Sequence, residues 1–268
     1  MFKKISWGLL IITLFTGLVL SEERVSAKDL SVEEIVNKTY TAAYYQGEDG
    51  KATVEMTIVD AQGRKRVRRL TMLRKDIEDN GQQKYYAYFK EPADVRKMVF
   101  MVDKRPSTED NRWLYLPALD LVRRVSAADK RSSFVGSHFT YEDISGRNLT
   151  DDKHILLGEE NGKYILKLIP KDKNNVEFAY YKMWINKDNF IPVRSEYYNQ
   201  QEELYRVITA EKVENIEGYP TIMTMKAEDL KTGAYTINRF SNIQYNLGIS
   251  ENIFTERYLR RPPRRLLR

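Results

Sequence analysis

The sequence contains 0 cysteines, and this absence removes several classes of chemistry together. There can be no disulfide, no thiol nucleophile, no cysteine-built zinc site and no lipid-modified N-terminal cysteine. Histidine is scarce as well, at 2 residues, His138 and His154, which leaves no ligand set for a common zinc site without a group of carboxylates at a suitable spacing. No metal and no cofactor is expected. A glycine-rich phosphate loop and a dinucleotide fingerprint are both missing. Ser137, His138, Glu142 and Asp143 supply the residue types of a hydrolytic triad, but the flanking glycine pattern of a nucleophile elbow is not there, and neighbours on one strand or loop point apart. The expectation is a protein that binds and does not catalyse.

Only one long apolar run occurs, from Ile5 to Leu20 behind Lys3 and Lys4, and it leads to the small-residue pattern Val25-Ser26-Ala27. This is the layout of a secretory signal peptide over residues 1–27, cleaved after Ala27. The run is shorter than the ~20 apolar residues needed to span a bilayer. A cysteine-free exported chain fits the periplasm, held together by burial and hydrogen bonding alone. Of the 268 residues, 241 then remain, carrying +5 of the +6 net charge because the leader holds three cations and two anions. Excess positive charge behind an export signal points to an anionic membrane surface or an acidic protein as partner, and not to nucleic acid.

What is present is mostly β pattern. Ser31-Val32-Glu33-Glu34 is a capping box that opens one amphipathic helix through Ile35, Val36, Tyr40 and Ala43, ended by Gly47. Alternating segments follow at 53–59, 64–73, 84–89, 97–103, 112–116 and 119–125, then at 154–158, 164–169, 177–185, 193–198, 205–213, 221–229 and 234–245. Turn signals such as Glu160-Asn161-Gly162 separate them. So many short strands with so little helix predict a mainly β fold with few α elements, a strongly curved antiparallel sheet or incomplete β-barrel. One domain over 28–259 and a basic tail over 260–268 are expected, with Ser250 capping a short helix before Pro262-Pro263.

Between Ser126 and Asn148 the alternation fails, and this connection is expected to hold a turn or two of helix across the mouth of the sheet. Phe134 and Phe139 either face a cavity from such a lid or pin their own loop. Met56, Met72, Met98, Met101, Met183, Met223 and Met225 fall on or beside strands, where thioether chains fill core gaps or adapt to ligands of variable shape. Together with Phe100, Trp113, Tyr115 and Trp184 they are candidates for a lipid-sized apolar face. Met98-Val99-Phe100-Met101-Val102 is apolar at every position, so this strand should be covered on both sides. Arg64 to Arg69 reads as a solvated hairpin end, while Arg123 and Arg124 are candidates for contact with a headgroup or partner.

The order Trp113, Tyr115, Pro117, Arg123, Arg124, Lys130, Ser133, Phe134, Gly136, Ser137, Phe139, Tyr141, Glu142, Asp143 resembles the LolA-like family of outer membrane lipoprotein-sorting proteins, within the LolA/LolB-like superfamily. The N-terminal helix and hairpin, Ile191-Pro192 and the ending Glu251 to Leu259 extend the likeness. His138 departs from it, standing where the family pattern usually carries Asp. The resemblance implies a half-barrel closed on its concave side by a helical lid, around an apolar cavity for lipid or a lipoprotein acyl chain. It also implies a monomeric periplasmic carrier, with an inner-membrane RND-type transporter as a partner and peripheral membrane contact. A non-transporting adaptor of such an exporter and an envelope lipid hydrolase are the alternatives.

Overall fold

The structure is a computed structural model, and it describes residues 30–106 and 108–268. The signal peptide and its cleavage after Ala27 lie outside the described residues. Ser31–Arg268 forms one compact unit, into which the basic tail is drawn. Among the described residues, no helix is long and apolar enough to cross a membrane.

The first helix, α1 (Val32–Tyr44), begins where the sequence predicts, with the Ser31 hydroxyl accepting from the Glu34 N–H and the Glu34 carboxylate accepting from the Ser31 N–H. Six strands follow: β1 (Asp49–Val59), β2 (Lys65–Asp76), β3 (Gln83–Glu91), β4 (Val99–Lys104), β5 (Asn111–Leu116) and β6 (Leu121–Val125). After the connection come β7 (Asp152–Glu160), β8 (Lys163–Pro170), β9 (Tyr180–Asn186), β10 (Pro192–Tyr198), β11 (Leu204–Ile216), β12 (Tyr219–Asp229) and β13 (Tyr235–Tyr245). These form one 13-stranded sheet in the order β6-β5-β4-β3-β2-β1-β13-β12-β11-β10-β9-β8-β7. Every neighbouring pair is antiparallel. The β7–β8 turn places Asn161 and Gly162 at positive φ, as a tight hairpin with right-handed twist requires.

This order gives the connection its role. The chain meanders outward from β1 to one edge at β6, crosses to the opposite edge at β7, and meanders back until β13 pairs with β1. Pairing β6 with β7 would close a barrel. Those two edges stay unpaired, and residues 126–151, which join them, pack on the inner face and include a short helix α2 (Tyr141–Ser145) whose N-terminus is capped by Thr140 and Asp143.

Both faces of the β1–β6 half are packed. The inner face holds Val54, Met56, Leu70, Phe89, Phe100 and Val102 against Phe134, Phe139 and Tyr141 of the connection. The outer face holds Leu73, Tyr86, Val99 and Met101 against Ile249, Ile253, Phe254, Leu259 and Leu267 of the C-terminal segment. Every residue of β4 is accordingly buried, as its uniformly apolar core predicts. The C-terminal segment is steered onto that face by Asp49, whose carboxylate accepts from the Leu247 and Ile249 N–H groups at 2.7 Å each. Here the predicted single helix is two short pieces, a 3-10 turn at Glu251–Ile253 capped by Ser250 and a helix α3 (Glu256–Arg260).

Two local expectations are corrected. The ninth strand begins at Tyr180 and not at Glu177, because Glu177 is taken by an ion pair with Arg131 and Phe178 is packed under Tyr181 and Tyr197. The cationic hairpin end is not wholly solvated: Arg68 shares the inner face with Leu70 and donates to the Val135 carbonyl, tying β2 to the connection.

Candidate functional site

The concave face is filled over β1–β6 and hollow beside it. A cavity of about 360 Å³ lies between α1, residues 139–149 and the inner face of β1, β2 and β7–β13. Met72 on β2 and Leu166 on β8 both line it, although seven inter-strand steps separate them in the sheet. At ~4.8 Å per step a flat sheet would hold them about 30 Å apart, so the sheet curls around this space.

Its apolar wall comes from alternate residues. Tyr181, Met183 and Ile185 face in from β9, Ile208 from β11, Met225 from β12 and Phe240 from β13. The first helix contributes Val36, Thr39, Tyr40 and Ala43. Phe139 closes the side toward the filled half of the sheet.

The opposite wall is a buried ionic network that links the connection to β7 and β11. Arg131 pairs with Glu142 at 2.9 Å and with Glu177 at 2.5 Å, and its guanidinium lies 5.1 Å from the Phe178 ring centroid. Arg147 pairs with Asp152 at 2.9 Å and with Glu142 at 3.3 Å. Arg206 on β11 reaches Asp143 at 2.5 Å and also donates to the His138 carbonyl at 3.1 Å. Burial pushes the Asp143 carboxyl up, but Arg206 and Arg131 outweigh it and hold the group below its ordinary value. Glu177 is likewise lowered, its burial overcome by the hydrogen bond from Arg131. Burial lowers His154, with Asp152 opposing, so the imidazole beside the cavity is neutral near pH 7. Among the described residues no cluster of His, Asp and Glu has the arrangement to hold a metal ion.

The residues singled out from sequence separate into distinct places. Met72, Met225 and Phe139 line the cavity, as does Met183. Met56, Met98, Phe100 and Phe134 do not, since they are consumed in the solid core of the β1–β6 half. Trp113 and Tyr115 lie on the outer face with Val122, under the C-terminal segment, because Leu114 between them points inward. Trp184 is turned out between the inward Met183 and Ile185. Met223 is passed over while Ile222 and Met225 line the cavity, where β11 opposite carries two register shifts. Arg123 and Arg124 are both exposed but point to opposite faces of the edge strand β6, one beside Leu114 and the other beside Trp113, so they form no joint pocket.

The candidate triad is not assembled. The Ser137 hydroxyl is buried and accepts from the Phe139 N–H at 3.2 Å, whereas the His138 ring faces Thr236 at 2.9 Å. Glu142 and Asp143 are committed to arginines. Sequence does not single out Arg131, Arg206 and the polar cavity residue Asn238, because Glu177, Asp143 and the neighbouring strands that meet them are remote in the chain, nor Arg147, whose partners Glu142 and Asp152 are near in sequence but form no recognised motif.

Comparison with known proteins agrees with this architecture. A protein-family model described as "-like: Uncharacterized protein" matches residues 81–261, more than half of the chain. No curated protein matches the sequence significantly. Among solved structures, a DUF1329 family protein from Desulfovibrio piger is 27% identical with a TM-score of 0.78, over 85% of this chain and 97% of that one. An outer membrane lipoprotein-sorting protein domain from Vibrio parahaemolyticus is 28% identical with a TM-score of 0.77, over 86% and 100%. The LolA superfamily protein NE2245 from Nitrosomonas europaea shares the fold at 21% identity and a TM-score of 0.67, over 85% and 99%. The chain thus belongs to the family of the model matched over residues 81–261, and in its ordered motif from Trp113 to Asp143 and its open antiparallel sheet it is similar to LolA-like proteins and to that lipoprotein-sorting protein domain.

Proposed function

We propose that the protein is a periplasmic carrier that holds the acyl chains of a lipid or lipoprotein in the cavity beneath α1. It passes them between membranes, or to and from a membrane transporter of the RND type. The observation that carries this reading is the cavity: about 360 Å³ of space left open beside a solid core, with Met72, Met183 and Met225 in its wall. That volume lies within the ~300–1,000 Å³ of small-molecule sites. Unbranched thioethers adapt to chains of different shape, and each buried methylene contributes ~0.8 kcal/mol without any reactive group.

The lipoprotein-sorting domain of similar fold and the signal-peptide pattern of residues 1–27 support the periplasmic setting. An adaptor whose interior is filled by its own side chains is disfavoured by the open cavity, and an envelope lipid hydrolase by the separation of Ser137 from the His138 ring. Contact with a membrane surface is assigned to the exposed Leu119 and Leu121 at the β5–β6 turn, with Arg123 and Arg124 beside them. Organic extraction of the protein purified from its own envelope, followed by mass spectrometry, tests the reading. Acyl lipid at a stoichiometry near one is expected. Protein free of lipid that also fails to take up a neutral environment-sensitive dye would overturn it.

A further inference from the structure

The basic C-terminal segment is folded onto the sheet, yet its cations are not neutralised. Leu259 and Leu267 are buried against the outer face of the β1–β6 half, and the Tyr258 carbonyl accepts from the Tyr86 hydroxyl at 2.7 Å. With these apolar residues turned inward, Arg257, Arg260, Arg261, Arg264, Arg265 and Arg268 are all exposed. Among the described residues, only Arg260 of the six pairs with a carboxylate, that of Asp120 at 3.1 Å. Exposed cations elsewhere are matched: Arg69 meets Glu55 and Glu91, and Lys212 meets Glu214. Holding so many like charges on one surface opposes folding by self-repulsion, which an anionic partner relieves.

Arg260 also fixes where this surface lies. Its partner Asp120 sits in the β5–β6 turn between Leu119, 71% exposed, and Leu121, 45% exposed. The Tyr115 hydroxyl donates to the same carboxylate at 3.1 Å, so the turn and the segment are tied at one point. Arg124 adds a cation on this face, since it stands opposite Trp113 in the register. Bare leucines beside a cationic surface are the layout of a peripheral membrane contact, in which the apolar side chains enter the headgroup region and the cations meet phosphates. An acidic polypeptide would match the arginines and leave the two leucines in water.

Resting on the membrane contact in the carrier reading, we propose that residues 257–268 are a docking site for the phosphate groups of an anionic phospholipid surface, with Leu119 and Leu121 inserted beside it. Guanidinium groups suit such a surface because their planar forks match phosphate oxygens. The segment covers the outer face of the sheet and the cavity lies on the inner one, so docking and acyl binding use separate surfaces.

The test is cosedimentation of the protein purified from its own envelope with vesicles of phosphatidylcholine, alone or mixed with phosphatidylglycerol, beside binding of the neutral dye 1-aminoanthracene by the same samples. Mixed vesicles should pull the protein down at low salt and release much of it at high salt, and phosphatidylcholine alone should leave it in solution. Arg261→Gln, Arg264→Gln and Arg265→Gln together should weaken the partition by about 100-fold, at roughly 5-fold per cation, with the melting temperature and dye binding kept. Lys at the same three positions should stay within about 5-fold of wild type, because the charge remains. Equal pelleting with both vesicle types, pelleting with neither, or a glutamine variant that binds like wild type overturns the docking site. Capture on polyglutamate beads without vesicle binding also overturns it, and assigns the arginines to an acidic protein. Dye binding without docking sinks this proposal alone, whereas docking without dye binding sinks the carrier reading alone.

Discussion

Phe134→Ala separates anchoring of the connection from lining of the cavity. Phe134 is 1% exposed, and its ring centroid lies 5.3 Å from Phe100, 5.5 Å from Tyr141 and 5.9 Å from Phe89. Its N–H donates to the Phe139 carbonyl at 2.7 Å, so the ring and the backbone hold the same turn. Truncating a buried phenylalanine costs about 3–5 kcal/mol, part of it the ~0.5–1.5 kcal/mol of each aromatic pair. For a domain of this size each kcal/mol shifts the melting temperature by roughly 2–4 °C, so a fall of about 6–20 °C is expected. Phe139→Ala should cost less, because that ring has the cavity on one side. Denaturant titration of both variants, each with dye binding measured on the folded protein, is the assay. A Phe134→Ala variant within about 1 kcal/mol of wild type, with dye binding abolished, would refute the reasoning, since it would make Phe134 a wall of the cavity.

Three further outcomes follow from the same packing. Arg206→Met should destabilise by about 3–5 kcal/mol by stranding Asp143, and Asp143→Leu added to it should recover much of the loss, as a double-mutant cycle in urea would read. Asp143 and Glu177 are held below their ordinary values of 3.8 and 4.5, so their contribution is complete above those values and is lost as pH falls through the lower folded-state values. Thermal melts should therefore decline in acid below about pH 4, with Arg131→Met flattening the decline. Ala52→Trp, directed from β1 into the cavity, should abolish dye and lipid binding while the circular dichroism spectrum stays that of a β protein.

Much of the fold is legible in the chain because strands bury alternate residues. Val54, Met56 and Ile58 announce β1, and a segment apolar at every position, Val99 to Val102, announces a strand covered twice. The site is less legible. Alternation places Trp113 and Tyr115 on one face and Leu114 on the other, but it does not say which face is concave. That choice depends on the C-terminal segment, more than a hundred residues later, covering the aromatic side. On β13 the inward set is Thr236, Asn238 and Phe240, less apolar than a core face ordinarily is, with Ile237 turned away. The ionic wall is invisible for a similar reason. Asp143 meets Arg206 63 positions away and Arg131 meets Glu177 46 away, and neither separation has a local signature.

The account rests on the cavity as the place where an acyl chain lies. The most direct test is a crystal structure of the protein with the methyl ester of a terminally brominated laurate, located by the anomalous signal of bromine. The account predicts one bromine peak inside the sheet's curve, in contact with Met72, Met183 or Met225. Bromine found only on the outer face, or an empty cavity at saturating ester, would contradict it.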